Sequence, residues 1–384
     1  MPLGHYRELL RRPHVAGVLA TSLLARLPQG MSGLAILLFL VPVVGYGRSG
    51  GATGVAVATG ALSSVWLARL IDRIGVRRVL LPVALVYGGG MIGLAESRGG
   101  PYPVVLVICA VIGAATPPIT SVVRGLWPQI LDPASAQTAY GLEATAQELI
   151  YIAGPAVVAL IAGLADARTA VFTTGAVGLL GSAAFAGVTP LVGRSRAERS
   201  AVAVWRSGVV TYALVGLGLT AAFSMAEVAT VAFIGGHGAS ARSGVVLALW
   251  SFGSMVGGLA FGRPATTVTD LRLALAITTM SAGIALAAAA PGSVGLAVIL
   301  VIGGATIAPT LARLNSRIAA AAPAGATVEA FGWLAAAYLI GVSLGASAGG
   351  FAVDGAGPRW TFGLAALAAM TGVAVIGTRA RPSR

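Results

Sequence analysis

Long apolar runs separated by short polar segments extend along the chain from residue 15 to residue 377. Each run suits a helix that crosses the roughly 30 Å hydrocarbon core of a bilayer, which takes about 20 residues. The pattern therefore predicts an all-α membrane protein with twelve transmembrane helices. In chain order, the predicted spans one to twelve are 15–45, 50–68, 79–96, 103–123, 139–164, 169–189, 208–234, 243–262, 273–290, 294–312, 328–350 and 360–377.

An internal repeat is superimposed on this pattern. The segment Val111–Thr116 in span four nearly matches Val301–Thr306 in span ten, and the acid Asp166 after span five matches Asp354 after span eleven. Repeated multi-helix halves around a central site are the architecture of many secondary transporters. The predicted domains are two pseudo-symmetric six-helix halves at 1–190 and 208–384 and a cytoplasmic basic linker at 191–207.

Composition and charge narrow the class of protein. Hydrophobic residues make up 57% of the 384 residues and charged residues 10%, which leaves too little polar surface for a soluble globule. The net charge of +13 does not indicate nucleic-acid binding, because no folded basic domain carries it. All 25 basic residues are arginines, and most fall in cytoplasmic segments if the N-terminus is inside. The positive-inside rule predicts a multi-pass protein of the cell inner (plasma) membrane with both termini cytoplasmic, whose linker contacts anionic lipid.

The loop between spans two and three carries a specific motif. It reads Ala68-Arg69-Leu70-Ile71-Asp72-Arg73-Ile74-Gly75-Val76-Arg77-Arg78. This resembles the G-x-x-x-D-R-x-G-x-R-R signature of the major facilitator superfamily, with Ala68 where the family usually has glycine. The resemblance covers the whole chain, since the span count, the halves and the linker agree with it. It implies the twelve-helix fold of that family, which alternates between inward-open and outward-open states by rocking its halves.

The resemblance also implies a cytoplasmic gate built on this loop by ion pairs that form in one state. Asp72 is expected against a helix end or against Arg124 in the next cytoplasmic loop, and Asp132 is expected to receive Arg73 or Arg77. The turn glycine lets the chain reverse sharply between helices. The alternative is a topology anchor without a gating role. The candidate gate residues are Asp72, Arg73, Gly75, Arg77, Arg124 and Asp132.

Charged residues inside spans are costly and are functional candidates by default. Arg26 in span one and Glu148 in span five lie at similar depths, about 16 and 13 Å from the cytoplasmic ends at 1.5 Å per residue. The resemblance makes these spans neighbours, so an Arg26–Glu148 pair is expected, with Glu143 and Gln147 on nearby turns. Either the pair is structural, or Glu148 titrates as a proton or substrate site. Glu227 in span seven is a further intramembrane acid without an evident partner.

A central path lined by spans one, four, seven and ten is a further implication of the resemblance. Threonines in membrane helices usually bond their own backbone, so a structural role is the alternative for each of them. The prolines near Thr116 and Thr306 are expected to break spans four and ten and to free carbonyl groups. The candidate lining residues are Gln29, Thr116, Thr120, Glu227, Thr306 and Thr310.

Small residues at four-residue spacing let helix backbones approach closely. The resemblance implies that spans two with eleven and five with eight form a sliding seam, while ordinary tight packing is the alternative. Gly154-Pro155 in span five is also similar to the glycine-proline motif of family antiporters, although the glycines that follow the proline in that motif are missing. The spaced glycines are Gly50 and Gly54 in span two, Gly253 and Gly257 in span eight, and Gly341, Gly345 and Gly349 in span eleven.

These features predict a secondary transporter that exports a drug-like compound or metabolite by proton-coupled alternating access. The alternatives are uptake of a sugar or amino acid by the same fold, and a non-transporting membrane enzyme or receptor. Three isolated histidines and a single cysteine, Cys109, give no metal-ligand spacing, so no enzyme activity, cofactor or metal is expected. The expected partners are a small-molecule substrate, protons and membrane lipid, and the chain is expected to be a monomer.

Overall fold

The computed structural model of the chain describes residue 12 and residues 15–97, 100–189, 208–235, 242–261, 269–322 and 327–379. Helices dominate these residues, as the apolar pattern predicts. The predicted linker at 191–207 and the loop that follows span eight lie outside the described residues. The helices are α1 Val15–Ile74, α2 Val76–Glu96, α3 Tyr102–Ala114, α4 Ile119–Ile130, α5 Pro133–Leu164, α6 Ala167–Val188, α7 Val209–Gly235, α8 Arg242–Phe261, α9 Asp270–Leu286, α10 Ser293–Gly304, α11 Ile307–Ala321, α12 Thr327–Ala356 and α13 Pro358–Arg379.

The first helix, α1, comprises two predicted spans. Its 60 residues would extend about 90 Å as one straight helix, three times the hydrocarbon core. Gly45 interrupts it with φ 77° and ψ 176°, a conformation that glycine adopts without a side-chain clash. Ten apolar helical segments among the described residues are long enough to span a membrane when α3 is counted with α4 and α10 with α11. Helix α5 adds the shorter apolar segment Leu149–Leu164. With α1 divided at Gly45, these helices reproduce the twelve predicted spans.

Spans four and ten are broken at repeat-related positions. The break in span four separates α3 from α4 between Ala114 and Ile119, and the break in span ten separates α10 from α11 between Gly304 and Ile307. Pro117 has no N–H and cannot continue the helical hydrogen-bond ladder. The predicted break beside Thr116 is therefore confirmed. The interruption beside Thr306 is slighter, because Ala305 and Thr306 keep helical backbone angles and Pro309 lies in the first turn of α11.

Two arginines on the predicted outer face repeat the same contact in each half of the sequence. Arg168, in the first turn of α6, donates to the carbonyl of Ala95 at 3.2 Å, near the end of α2. Arg359, in the first turn of α13, donates to the carbonyl of Ala288 at 2.6 Å, just beyond α9. The final carbonyls of a helix lack intrahelical partners and attract cations. These arginines therefore join equivalent pairs of helices in the two repeats.

The chain divides into two compact units, residues 1–39 with 59–197 and residues 40–58 with 198–384. The first unit packs around a buried cluster that includes Val18, Trp127 and Phe185. In the second unit, α7 is buried along most of its length and packs against α12 and α13. The second unit thus includes residues 40–58 from the first half of the sequence.

The spaced glycines of each span form a stripe along its helix. The stripes of spans eight and eleven do not face the helices that the resemblance implies, whereas the stripe of span two does. The expected seam is wrong for the span-eleven stripe, which packs against α7, and for the span-eight stripe, which packs against α10. A methyl group on Gly345 would overlap the carbonyl of Ala221, and one on Gly257 would overlap the carbonyl of Ala305. For these two stripes the alternative of ordinary tight packing is correct. Gly50 and Gly54 of span two do meet α12, as expected.

Candidate functional site

The predicted gate loop contains a sharp turn and a helix-end contact. Gly75 has φ 96°, a left-handed conformation that separates α1 from α2, as predicted. Arg77 then donates from Nε to the carbonyl of Ala186 at 2.7 Å and from Nη2 to the carbonyl of Gly187 at 2.8 Å. These carbonyls end α6, where a cation is electrostatically favoured. Arg77 thus links the start of span three to the end of span six.

Asp132 has a different partner from the predicted one. It caps the N-terminus of α5 by accepting from the backbone N–H of Ser135 at 3.0 Å, and it pairs with Arg12 at 2.7 Å. The bond from Ser135 and then the Arg12 guanidinium hold the pKa of this carboxyl well below its usual range. The expectation that Arg73 or Arg77 reaches Asp132 is wrong, because Arg12 occupies this carboxylate and Arg77 lies against α6.

The remaining gate residues stay as the sequence predicts them. The side chains of Asp72 and Arg124 lie outside the described residues, so their pairing remains a prediction. Arg73 is exposed at the end of α1. A charge at this position remains accessible to partners on the same face.

Span one meets span five at a fully buried arginine. Arg26 has no exposed surface, and its Nη1 donates to Oε1 of Gln147 at 3.2 Å. One turn further along each helix, a methyl group on Gly30 would overlap the carbonyl of Ile150. The prediction that the two spans are neighbours is therefore confirmed. The side chains of Glu143 and Glu148 lie outside the described residues, and the Arg26–Glu148 pair stays a prediction.

A small cavity in the first unit brings together two of the predicted lining residues, Gln29 and Thr116. Its volume is about 20 Å³, enough for about one water molecule. Ser32 and Tyr87 add hydroxyl groups to its wall, and their oxygens lie 2.8 Å apart. Ser32 donates to the carbonyl of Pro28 at 2.6 Å, so the Tyr87 hydroxyl is the donor in this pair. The cavity wall is mostly apolar, and its polar side chains are uncharged.

Sequence reasoning missed Ser32 and Tyr87, although one signal pointed to Ser32. Ser32 is three residues beyond Gln29 and therefore lies on the same face of span one. Tyr87 belongs to span three, which the sequence alone does not direct toward span one.

Three of the four candidate threonines bond their own backbone. Thr116 donates to the carbonyl of Ile112 at 3.2 Å, Thr306 to that of Gly303 at 2.7 Å, and Thr310 to that of Thr306 at 2.7 Å. These bonds agree with the structural alternative, and a lining role for the three threonines stays a prediction. Thr120 is half-buried in the first turns of α4.

Glu227 lies on α7 and is half-buried. The residues one turn away on the same face include Ser224, Thr230 and Val231, which are buried and uncharged. Among the described residues, no side chain or backbone group makes a hydrogen bond or ion pair with its carboxylate. A carboxylate in this environment loses water without gaining a charged partner.

A cluster that sequence reasoning missed joins three helices of the second unit. Asp270 at the start of α9 accepts from the Tyr212 hydroxyl at 2.6 Å and pairs with Arg317 at 2.8 Å. Arg317, near the end of α11, also donates from Nε to the Tyr212 oxygen at 3.0 Å and lies over its ring. The sequence places all three residues near the predicted cytoplasmic ends of spans seven, nine and ten. Their pairing depends on how α7, α9 and α11 pack.

Comparison with known proteins decides the fold. No protein-family model and no curated protein matches the chain. Among solved structures, it is similar to the crystal structure of a mutant of the nucleoside transporter NupG. The TM-score is 0.71, with 12% sequence identity over 95% of this chain and 99% of that one. The chain has the major facilitator fold. This fold agrees with the spans, the repeat and the loop motif, whereas an identity of 12% carries no information on substrate.

Proposed function

We propose that this chain is a secondary transporter that moves a small molecule across the cell membrane by alternating access. The observation that carries the proposal is the major facilitator fold, with spans four and ten broken at repeat-related positions. Broken helices near the middle of a membrane expose backbone groups for a solute, and inverted or parallel repeats supply two alternative packings. The transport path is proposed to run beside Gln29, Thr116, Thr306 and Thr310.

Proton coupling is the second part of the proposal, and Glu227 is its main candidate. Burying a charged carboxylate without a cation is costly, so a proton bound at Glu227 stabilises the buried form of the side chain. A carboxylate that meets water in one state and an apolar environment in the other exchanges its proton once per cycle. Glu148 is the second candidate, provided that Arg26 does not hold it as a static partner.

Export of a drug-like compound or metabolite is the proposed direction. Its support is the Gly154-Pro155 segment, which is similar to the antiporter motif and packs tightly on Gly30 of span one. Uptake of a neutral polar solute, such as a nucleoside or sugar, is the second candidate. The uncharged hydroxyl and amide groups of Gln29, Ser32 and Tyr87 support it, because such groups would hydrogen-bond a neutral polar solute in a state that opens this cavity beyond the volume of one water molecule.

A proton-flux assay tests the coupling. Purified protein is first screened by thermal shift against nucleosides, sugars, amino acids and hydrophobic cations. Stabilising compounds are then added to vesicles that contain the protein and a trapped pH indicator. Coupled transport predicts a substrate-dependent change in internal pH, alkaline or acid according to direction.

Variants of two acids locate the coupling group. Glu227→Gln is expected to abolish substrate-driven proton movement while exchange of labelled for unlabelled substrate continues. Glu96→Gln is the matched control, because Glu96 is a half-exposed acid that pairs with Arg168 at 2.5 Å near a helix end. Proton movement that persists in the Glu227 variant would remove Glu227 from the coupling role.

A further inference from the structure

A helix in the first half of the sequence is capped by an acid from the second half. Asp354, near the end of α12, accepts from the backbone N–H of Tyr46 at 3.2 Å through Oδ1 and from that of Gly47 at 2.7 Å through Oδ2. The two partners are separated from Asp354 by 308 and 307 positions in the chain. Residues 40–58 and α12 lie in the same compact unit.

The cap fills a need created by the kink at Gly45. The left-handed conformation of this glycine ends span one, and the helix of span two starts immediately after it. The first N–H groups of a helix have no intrahelical acceptor, and they attract a negative charge. Position 45 has no side chain to act as a cap, and Ser49 uses its hydroxyl to donate to the carbonyl of Gly45 at 2.6 Å. Asp354 supplies the missing acceptor.

The capped end begins a close backbone seam between span two and α12. A methyl group on Gly50 would overlap the carbonyl of Ala346, and one on Gly350 would overlap the carbonyl of Tyr46. At the far end of the seam, the Ser343 hydroxyl donates to the carbonyl of Gly54 at 2.7 Å. The seam is therefore held by polar contacts at both ends and by backbone packing between them.

Asp166, the repeat-related acid in the first half of the sequence, caps a helix that follows it directly in the chain. Asp166 caps its own helix, α6, by accepting from the N–H of Thr169 at 2.6 Å. The corresponding start of α13 is preceded by Gly357, with φ 84°. In the second copy of the repeat, a glycine turn therefore stands where the first copy has a local cap, and Asp354 contacts span two.

We propose that Asp354 is a positioning residue for conformational switching, a latch that holds span two against span eleven at the predicted outer face. The inference rests on the proposed transport function. In the latched state the carboxylate caps span two, and residues 40–58 pack within the second unit. When the outer ends of these spans separate, the cap and the backbone seam are lost together, which biases the protein toward the latched state.

Distance measurements between spin labels test the latch. Labels are placed on Val43→Cys and Gly355→Cys, next to the two sides of the contact, in a Cys109→Ala background. Asp354→Ala removes the acceptor, and Gly47→Ala places a methyl group 2.8 Å from Oδ2 of Asp354. Both variants are expected to raise the ratio of long to short label distances about tenfold, equivalent to about 1.4 kcal/mol.

Two controls separate latching from general destabilisation. Asp166→Ala removes a comparable cap elsewhere, and Gly93→Ala adds a methyl group where no atom lies within 4 Å. Neither is expected to change the distance distribution. The latch is overturned if Asp354→Ala and Gly47→Ala, both folded by gel filtration, retain the native distribution, or if the controls shift it equally. Because the distances are read without substrate or gradient, failure of the transport proposal would appear separately, in the flux assay.

Discussion

Replacing Arg317 with methionine should weaken the second unit by removing the cation from the Tyr212–Asp270–Arg317 cluster. Methionine keeps much of the apolar stem of arginine and removes the guanidinium that contacts both partners. The Tyr212 hydroxyl still donates to Asp270 in the variant, so the carboxylate keeps one of its two contacts. The expected result is a lower free energy of unfolding with the fold retained.

The magnitude follows from the exposure of the ion pair. The side chains of Arg317 and Asp270 are 25% and 34% exposed, so the pair is neither buried nor free in solvent. Breaking a fully buried pair costs about 3 to 5 kcal/mol, whereas exposed pairs contribute about 0 to 1 kcal/mol. We therefore expect Arg317→Met to lower the free energy of unfolding by about 2 to 3 kcal/mol. In a double-mutant cycle with Asp270→Asn, a coupling of about 1 to 2 kcal/mol is expected.

Equilibrium unfolding in mixed micelles, followed by tryptophan fluorescence, measures these values. Arg313→Met is the matched control, because Arg313 lies one turn earlier on α11 and donates only to the carbonyl of Pro309, at 3.0 Å, among the described residues. A loss below about 1 kcal/mol is expected for the control. Equal losses for the two arginine variants, or a coupling near zero, would refute the reasoning.

Three further predictions concern the residues that the sequence nominated. Asp72→Asn should leave folding intact and shift the balance between inward-open and outward-open states by about 1 to 3 kcal/mol; identical transport at every substrate and proton gradient would leave the loop as an anchor only. If Glu148 is a structural partner of Arg26, Glu148→Gln should lower the melting temperature, and adding Arg26→Gln should restore much of that loss. If Glu148 instead carries the proton, Glu148→Gln should leave the melting temperature unchanged and abolish pH-driven accumulation of substrate. Reporters fused after Arg384 and placed at His237 should behave as cytoplasmic and external respectively, and an external Arg384 reporter would contradict the topology.

The elements that the sequence predicted depend on local rules. Apolar length gives the spans, and glycine or proline marks where a helix must turn or break, as at Gly45, Gly75 and Pro117. These signals act over a few residues and leave few alternative positions for the start or end of a helix. The kink at Gly45 agrees with the predicted boundary between spans one and two, although α1 continues beyond it to Ile74.

Which side chains pair and which helices meet was harder to predict, because both depend on how the helices pack. Several arginines share the cytoplasmic face, and each side chain is long enough to reach more than one acceptor. The sequence therefore nominated Arg73 or Arg77 for Asp132, whereas Arg12 occupies this position. Glycine spacing likewise shows that a helix approaches a neighbour closely and does not identify the neighbour, as at Gly345. The Arg26–Gln147 contact was within reach because the resemblance supplied the packing of spans one and five.

Counterflow across reconstituted vesicles tests the central claim, transport by alternating access, most directly. Vesicles are loaded with a high concentration of a compound that stabilises the protein and are diluted into a trace of the labelled form. A carrier that exposes one site alternately to each side predicts a transient accumulation of label inside the vesicles, followed by decay, without any imposed gradient of protons. Simple equilibration of label without an overshoot, or no entry of label for any stabilising compound, would contradict the account.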